Sequence, residues 1–542
     1  MDDRNIIILK DKKIRLILVA AELIVSVFFL TFCGGGGGGS GAGGGGSSGN
    51  CPQAITPTTS YYVSSTYPAN CGSPNYISDP VVLTFSKQPD ISYDQYGNPT
   101  GTTIDAISVT SSSQGVPSPI PVRFEYKSTT PDILGIKFYA VAGATYNISI
   151  ANTAMSNDGT AFSGSNQFQV TLPQTPPLPA PVAPVSASQY FYGVIPQVHF
   201  NNTSQVYNWV YQAGAKIVRI GTNMEADENT QNVFDWTTLD DNLTYAYDNG
   251  NGPKALVLIV QYQTPEWANG NQSPPAGSGY VACTPTIYAN FVKAVIHHIY
   301  VDSHPGYPSS EVVAFELGNE PDTPNFWNVY YNNGQSPCAP YYTANPSSDA
   351  SKYVQYLEAA YTQGKQEAKN DGAPKSLVFL NAGIATDSND ESYFDQIVNA
   401  GSYEDAYAIH LYAFADPNST TYPTRSWESF QVLTDDANYA SKKGYGNLHF
   451  WITEGSFQTY TLCPDGVDPN TQAYFMTEFF NKLAADTTPY VDAFTYFEMQ
   501  DNAPSPPQPG IDPCFSSGNG FGLVDDNGNT RPAFNAFEIL TK

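Results

Sequence analysis

Two glutamates stand where apolar runs end: Glu320 in Phe315-Glu316-Leu317-Gly318-Asn319-Glu320-Pro321-Asp322, and Glu454 in Phe450-Trp451-Ile452-Thr453-Glu454-Gly455. A pair of carboxyl groups converging on one bond can divide the work of breaking it: one gives a proton to the departing atom, the other attacks or stabilises the electron-poor partner. The chain of 542 residues carries 50 Asp and Glu, so a lone glutamate says nothing; a position at the end of a buried strand does.

Positioning such a pair requires rigid elements, and the last two thirds of the chain supplies them. Eight apolar, strand-like runs alternate with longer helical patterns: Tyr190–Ile195, Lys216–Gly221, Ala255–Tyr262, Val312–Gly318, Ser376–Asn381, Ala406–Ala413, Leu448–Glu454 and Val491–Met499. Val354, Leu357, Tyr361 and Ala368 form one stripe of a helix between the fourth and fifth runs. Eight strand–helix repeats predict an α/β fold, a (β/α)₈ TIM barrel over residues 186–542, whose function collects where the strands end. An open, doubly wound sheet is the alternative, and no G-x-G-x-x-G or Walker loop marks a ligand site for it.

Composition narrows the partners. Charged residues are only 13% of the chain and the net charge is −27, so a basic face able to displace counterions from nucleic acid is not expected. Residues 1–33 read as an export signal: Lys10, Lys12, Lys13 and Arg15 precede an apolar stretch from Leu16 to Phe32. Cys33 then resembles a bacterial lipoprotein anchor, and an uncleaved signal anchor is the alternative; both place the body outside the cytoplasm, at the cell envelope. Residues 34–50, almost wholly Gly and Ser, form a flexible tether. Residues 51–172 show short alternating runs such as Val81-Val82-Leu83-Thr84-Phe85 and Tyr146-Asn147-Ile148-Ser149-Ile150, expected to form a small all-β sandwich that resembles a bacterial immunoglobulin-like module. Residues 173–185 hold six prolines and predict an extended linker. Setting Cys33 aside, Cys51, Cys71, Cys283, Cys338, Cys463 and Cys514 suggest disulfides in an exported chain. With no C-x-x-C and no H-x-x-x-H, neither a metal site nor a cofactor is expected.

The phrases Gly318-Asn319-Glu320-Pro321 and Thr453-Glu454-Gly455 resemble clan A of the glycoside hydrolases, retaining (β/α)₈ enzymes with an acid/base Glu after strand four and a nucleophilic Glu after strand seven. Val233-Phe234-Asp235-Trp236, Leu239-Asp240, Pro265-Glu266-Trp267, Gly522-Leu523-Val524-Asp525 and Arg531-Pro532-Ala533-Phe534 fit the same pattern, which spans roughly residues 190 to 542. The resemblance implies Glu320 as acid/base and Glu454 as nucleophile. It places Asn319 on a sugar 2-hydroxyl, Arg219 beside Glu454, Tyr412 on the nucleophile and His410 on the sugar, with a core histidine as the other reading of His410. Trp267, Trp327, Tyr496 and Phe497 are candidate sugar platforms. At the eighth strand, where the clan usually has a Trp, this chain reads Thr495-Tyr496-Phe497-Glu498, and Glu498 is a candidate substrate contact or third titrating group. Pairings Cys283–Cys338, Cys463–Cys514 and Cys51–Cys71 are expected, the first two joining neighbouring loops. The partner implied is an oligo- or polysaccharide, with the membrane held through the anchor. A catalytically silent carbohydrate-binding protein and a transglycosylase are the rival functions; sugar, linkage and oligomeric state are not specified.

Overall fold

The computed structural model describes residues 61–93, 99–126, 130–184, 190–196, 203–270, 280–302, 304, 306–323, 326–327, 350–385, 390–400, 404–412, 416–418, 431–444, 448–485, 490–501, 514 and 520–542. The signal, Cys33, the tether, Cys51 and Cys338 lie outside them. Among the described residues no helix is long and apolar enough to cross a membrane.

Eight parallel strands close into a barrel: β1 (Tyr192–Val194), β2 (Ile217–Asn223), β3 (Lys254–Val260), β4 (Val312–Asn319), β5 (Val378–Ala385), β6 (Tyr407–His410), β7 (His449–Gly455) and β8 (Tyr490–Tyr496), with β8 pairing back to β1. Each of the eight apolar runs overlaps one of them, with the ends differing by up to four residues. Helices α1 (Thr203–Ala213), α2 (Thr237–Tyr247), α3 (Pro285–Val301), α4 (Ala350–Asn370), α5 (Asp390–Asn399), α6 (Gln431–Lys442), α7 (Pro469–Ala485) and α8 (Pro532–Thr541) follow the strands in turn. The runs read as continuous because both faces of a barrel strand are buried, one against the helices and one inside the barrel.

The alternation of side chains along each strand builds the interior in layers. Ile217, Leu256, Ala314, Leu380, Ala406, Ala408, Trp451 and Ala493 form a separate apolar cluster; the single Trp occupies space that its alanine neighbours leave. Two residues further along β2, β4, β6, β7 and β8 come Arg219, Glu316, His410, Thr453 and Thr495, all buried. A dry plug therefore carries a polar layer directly above it. Outside the barrel, the buried stripe of α4 centres on Tyr353, Leu357, Ala360 and Gly364, one position round from the stripe read off its aliphatic residues. The Tyr353 hydroxyl donates to Leu317 O at 3.0 Å and accepts from Ala382 N at 2.5 Å, pinning the ends of β4 and β5 together.

Before the barrel lie two larger antiparallel sheets, beside a two-stranded pairing of Ser92–Tyr93 with Pro99–Thr100. One orders Val63–Tyr67, Val81–Phe85, Ile133–Phe138 and Val122–Tyr126; the other orders Ile107–Thr110, Thr145–Ile150 and Gln167–Thr171. Leu83, Ile136, Tyr146 and Ile148 are fully or almost fully buried between them and their surroundings. The proline-rich segment runs along α7, where Asn481 accepts from Val182 N at 2.8 Å and donates to Ala180 O at 2.9 Å. The module meets the loop after β7: Ala140 pairs with Val467, and Arg123 forms an ion pair with Asp465.

That loop is also covalently held, by the disulfide Cys463–Cys514. Cys71 and Cys283 are disulfide-bonded as well, to partners outside the described residues. Closing a loop across 51 positions restricts the unfolded chain by about 4 kcal/mol on chain-entropy reckoning. The double substitution Cys463→Ser, Cys514→Ser is expected to lower the urea midpoint accordingly; an unchanged midpoint would show that the loop is held by its noncovalent contacts, Ala140 with Val467 and Arg123 with Asp465, without help from the disulfide.

Candidate active site

The turn after β4 is shaped by its neighbours. Gly318 has φ 113°, and a Cβ there would stand 2.9 Å from Gln261 Oε1, so only glycine fits. Gln261, fully buried after β3, clamps the next residue from both sides: its Nε2 donates to Asn319 O at 2.8 Å and its Oε1 accepts from Asn319 N at 2.7 Å. Glu320 then takes the left-handed conformation at φ 41°, which a β-carbon disfavours, and is held there by its N–H donating to Gly383 O at 2.9 Å. The surrounding bonds thus fix the carboxyl direction.

Arg219 organises the floor. Its Nε and Nη2 donate to Glu316 at 2.6 and 3.2 Å, its Nη1 to Glu454 Oε1 at 2.5 Å and its Nη2 to Asn319 Oδ1 at 2.8 Å. Glu316 is completely buried and also accepts from Gly383 N at 2.9 Å and from Thr453 Oγ1 at 2.8 Å. Burial alone would raise its pKa, but the charges and hydrogen bonds of Arg219 and His410 together outweigh that and hold Glu316 at about 2. The remaining Glu454 oxygen, Oε2, accepts from the Tyr412 hydroxyl at 2.6 Å.

His410 links the two halves. Its Nδ1 lies 2.7 Å from Glu320 Oε1 and 3.6 Å from Glu454 Oε2. One oxygen of Glu320, one of Glu454 and a His410 nitrogen all fall within 4.8 Å of one another. Both side chains are partly exposed, at 14% and 12%. Burial works against a charge on His410, yet Glu454, Glu316 and Glu320 raise its pKa to about 10. Burial raises that of Glu320, opposed by the His410 hydrogen bond. Charge counting agrees: Arg219 and His410 as cations balance Glu316 and Glu454 as anions, which leaves Glu320 as the carboxyl that can stay protonated.

The other candidates divide. Trp267 is half-buried, its indole N–H donating to Glu228 O at 3.1 Å. Phe497 is half-buried with its ring 5.9 Å from that of Tyr412, beside Glu454. Trp327 and Tyr496, by contrast, are 1% and 0% exposed and offer no face to a sugar. Trp327 packs edge-on against Tyr353 and Tyr356 of α4. Tyr496 follows the inward-facing Thr495 on β8 and so points out into the helical layer. Glu498 is likewise 0% exposed, neither oxygen has a hydrogen-bond partner among the described residues, and burial pushes its pKa well up; its carboxyl offers no exposed oxygen to a substrate. The Asp501–Arg531 ion pair and Gly522 N–H donating to Asp501 at 2.6 Å brace that segment.

Two residues of the cluster escape the reading of the sequence. Glu316 lies inside a strand and looks like any other acidic residue. Tyr262 closes the third run with a phenol where no carboxylate stands; burial raises its pKa, as do the charges of Glu320 and Glu454. A third requirement is space. A Cβ on Gly383 would stand 2.1 Å from His410 Nε2 and 2.7 Å from Thr453 Oγ1. Gly383→Ala is expected to cost about 1–3 kcal/mol of stability by overpacking and, by displacing His410, about 10²-fold in kcat/KM. Urea unfolding and steady-state kinetics on the same preparation check both; full activity would mean the ring moves without consequence.

No protein-family model matches the chain, and no curated protein matches it in sequence. Among solved structures, it is similar to a family 39 glycoside hydrolase from the gut symbiont Bacteroides cellulosilyticus WH2, at 14% identity over 88% of this chain and 82% of that one, TM-score 0.44. A monomeric beta-xylosidase from Caulobacter crescentus CB15 aligns at 15% identity over 66% of this chain and 69% of that one, TM-score 0.44. A beta-glucuronidase from Ruminococcus gnavus aligns at 10% identity over 89% and 68%, TM-score 0.40.

Proposed function

We propose that the protein is a retaining glycoside hydrolase of the clan A type, cleaving the β-linked bonds of an extracellular glycan by double displacement. The observation that carries this reading is the approach of Glu320 and Glu454 oxygens to within 4.8 Å. Carboxyl groups about 5–5.5 Å apart serve retention, whereas inversion needs roughly 6.5–9.5 Å to admit a water between them.

In the first step a Glu454 oxygen attacks the anomeric carbon while Glu320 gives its proton to the glycosidic oxygen; the carbon–oxygen bond breaks and the alcohol leaves. Arg219 and Tyr412 hold the attacking carboxylate ionised and aimed. Asn319 turns its carbonyl oxygen to Arg219, which leaves its amide nitrogen to donate to the sugar 2-hydroxyl. Phe497 and Trp267 are the platforms of this reading, since pyranose C–H faces pack on aromatic rings. Once the ester forms, Glu454 no longer carries the charge that helps raise the Glu320 pKa. Glu320 then ionises, takes a proton from water, and the water oxygen displaces Glu454 from the anomeric carbon.

On this reading residues 1–33 export the chain, Cys33 or an uncleaved signal anchor holds it at the envelope, and residues 51–172 form an immunoglobulin-like spacer. The test is a panel of aryl glycosides and polysaccharides, with the anomer first released followed by NMR. Hydrolysis with the β-anomer appearing first from a β-glycoside supports the proposal. The α-anomer first would contradict it, binding without cleavage would favour the silent carbohydrate-binding protein, and transfer to sugar acceptors in preference to water would make it a transglycosylase.

A further inference from the structure

Outside the glutamate cluster, three electron-pair donors converge from separate elements: Asp240 in the first turn of α2, His298 near the end of α3 and His304 in the connection that follows. Their ligand atoms lie within 4.8 Å of one another, and both imidazoles are buried. Hydrogen-bond accounting shows what they lack. His298 Nδ1 is 2.8 Å from Asp302 Oδ2, which can only accept, so Nδ1 carries the proton. The other ring nitrogen, Nε2, stands 2.9 Å from Asp240 Oδ1. His304 Nε2 is 2.6 Å from His298 O, again only an acceptor, and its Nδ1 is 3.5 Å from the same Asp240 Oδ1. Two imidazole nitrogens thus converge on one carboxylate oxygen, which also accepts from the Tyr307 hydroxyl at 2.8 Å. With the outer nitrogens already donating, each inner contact needs either a second proton on the ring or a cation shared with Asp240.

We infer that Asp240, His298 and His304 bind one divalent transition-metal ion of the Zn²⁺ type. Ligands at zinc distances are about 3.3 Å apart in a tetrahedron, and the separations of 2.9 and 3.5 Å bracket that value. Imidazole donors select such an ion over calcium or magnesium, which take oxygen. Asp302 and the His298 carbonyl hold the outer nitrogens, the arrangement that fixes tautomer and ring direction in metal sites. Trp236 adds a stacked ring 4.7 Å from His298. The ion ties α2, α3 and the start of the approach to β4. The sequence could not announce it, because its ligands share no short spacing.

The test uses the folded protein stripped with a chelator, titrated with zinc chloride by calorimetry and assayed for bound metal after dialysis. One Zn²⁺ per chain is expected. His304→Ala and Asp240→Asn, each checked for native circular dichroism, should weaken binding by at least about tenfold. His297→Ala and Glu454→Gln should retain it, which separates this site from the exposed His297 cluster and from the catalytic glutamates. Zinc should raise the melting temperature of the wild type and not of His304→Ala. Absence of zinc uptake by the wild type, or uptake that neither ligand variant alters, overturns the proposal and leaves protonated histidines as the cations.

Discussion

Glu454→Ala lowers turnover of every glycoside the wild type cleaves by about 10³–10⁵-fold, the range seen when a nucleophile is removed from a covalent mechanism. The effect should be kinetic and not a failure to fold. Arg219 keeps its bidentate contact with Glu316 and its bond to Asn319, so no buried cation is orphaned. The space left beside Arg219 and Tyr412 admits a small anion. Added azide should therefore restore activity on an aryl β-glycoside and yield the α-glycosyl azide, because attack now comes in one displacement from the face Glu454 used. Rescue with the β-product, or activity equal to wild type, would assign the nucleophile elsewhere. Substrate binding should change little, since the alanine removes the attacking carboxylate and leaves Asn319, Trp267 and Phe497 in place.

Glu320→Gln separates leaving groups. For glycosides whose alcohol needs a proton to depart, kcat/KM should fall by about 10²–10⁴-fold, the usual contribution of a positioned general acid. Aryl glycosides with strongly acidic phenols should lose little in the first step, and the slowed second step should appear as a burst of phenol. The amide can still accept from His410 Nδ1, so the geometry at 2.7 Å is retained. The pH dependence carries the sign. Burial raises the Glu320 pKa above 4.5, so its acid form, and with it kcat/KM, persists to higher pH and is lost as pH rises through the shifted value. In Glu320→Gln that alkaline fall should vanish. An alkaline limb unchanged in the variant would give the acid role to another group.

Much of the frame was legible because barrel strands, buried on both faces, stand out as continuous apolar runs, and because Gly318-Asn319-Glu320 and Thr453-Glu454 sit at their ends. Arg219 announced itself as a buried cation needing a carboxylate. The sequence named only Glu454 for it, whereas the fuller contact is with Glu316, which periodicity cannot tell from any core strand position. His410 and Tyr412, two positions apart, both turn to the glutamates. Tyr496 is named by aromatic type and Glu498 by its place at the eighth strand, and neither reveals that both are fully buried. Of the candidates there, Phe497 packs against Tyr412, which hydrogen-bonds Glu454. Trp327 was misread because loop length gives no direction: it folds down onto α4 and not across the cleft. Contacts made across three elements, such as Gln261 to the Asn319 backbone, have no signature in a single chain at all.

The central claim is that Glu454 forms a covalent bond to the sugar while Glu320 works across the same centre. The most direct measurement is mass spectrometry of the protein quenched with an activated 2-deoxy-2-fluoro glycoside of whichever sugar the panel identifies, followed by peptide mapping. One added glycosyl mass per chain is expected, on the peptide carrying Glu454 and absent from Glu454→Ala. A label on any other residue, or inactivation with no covalent adduct, contradicts it.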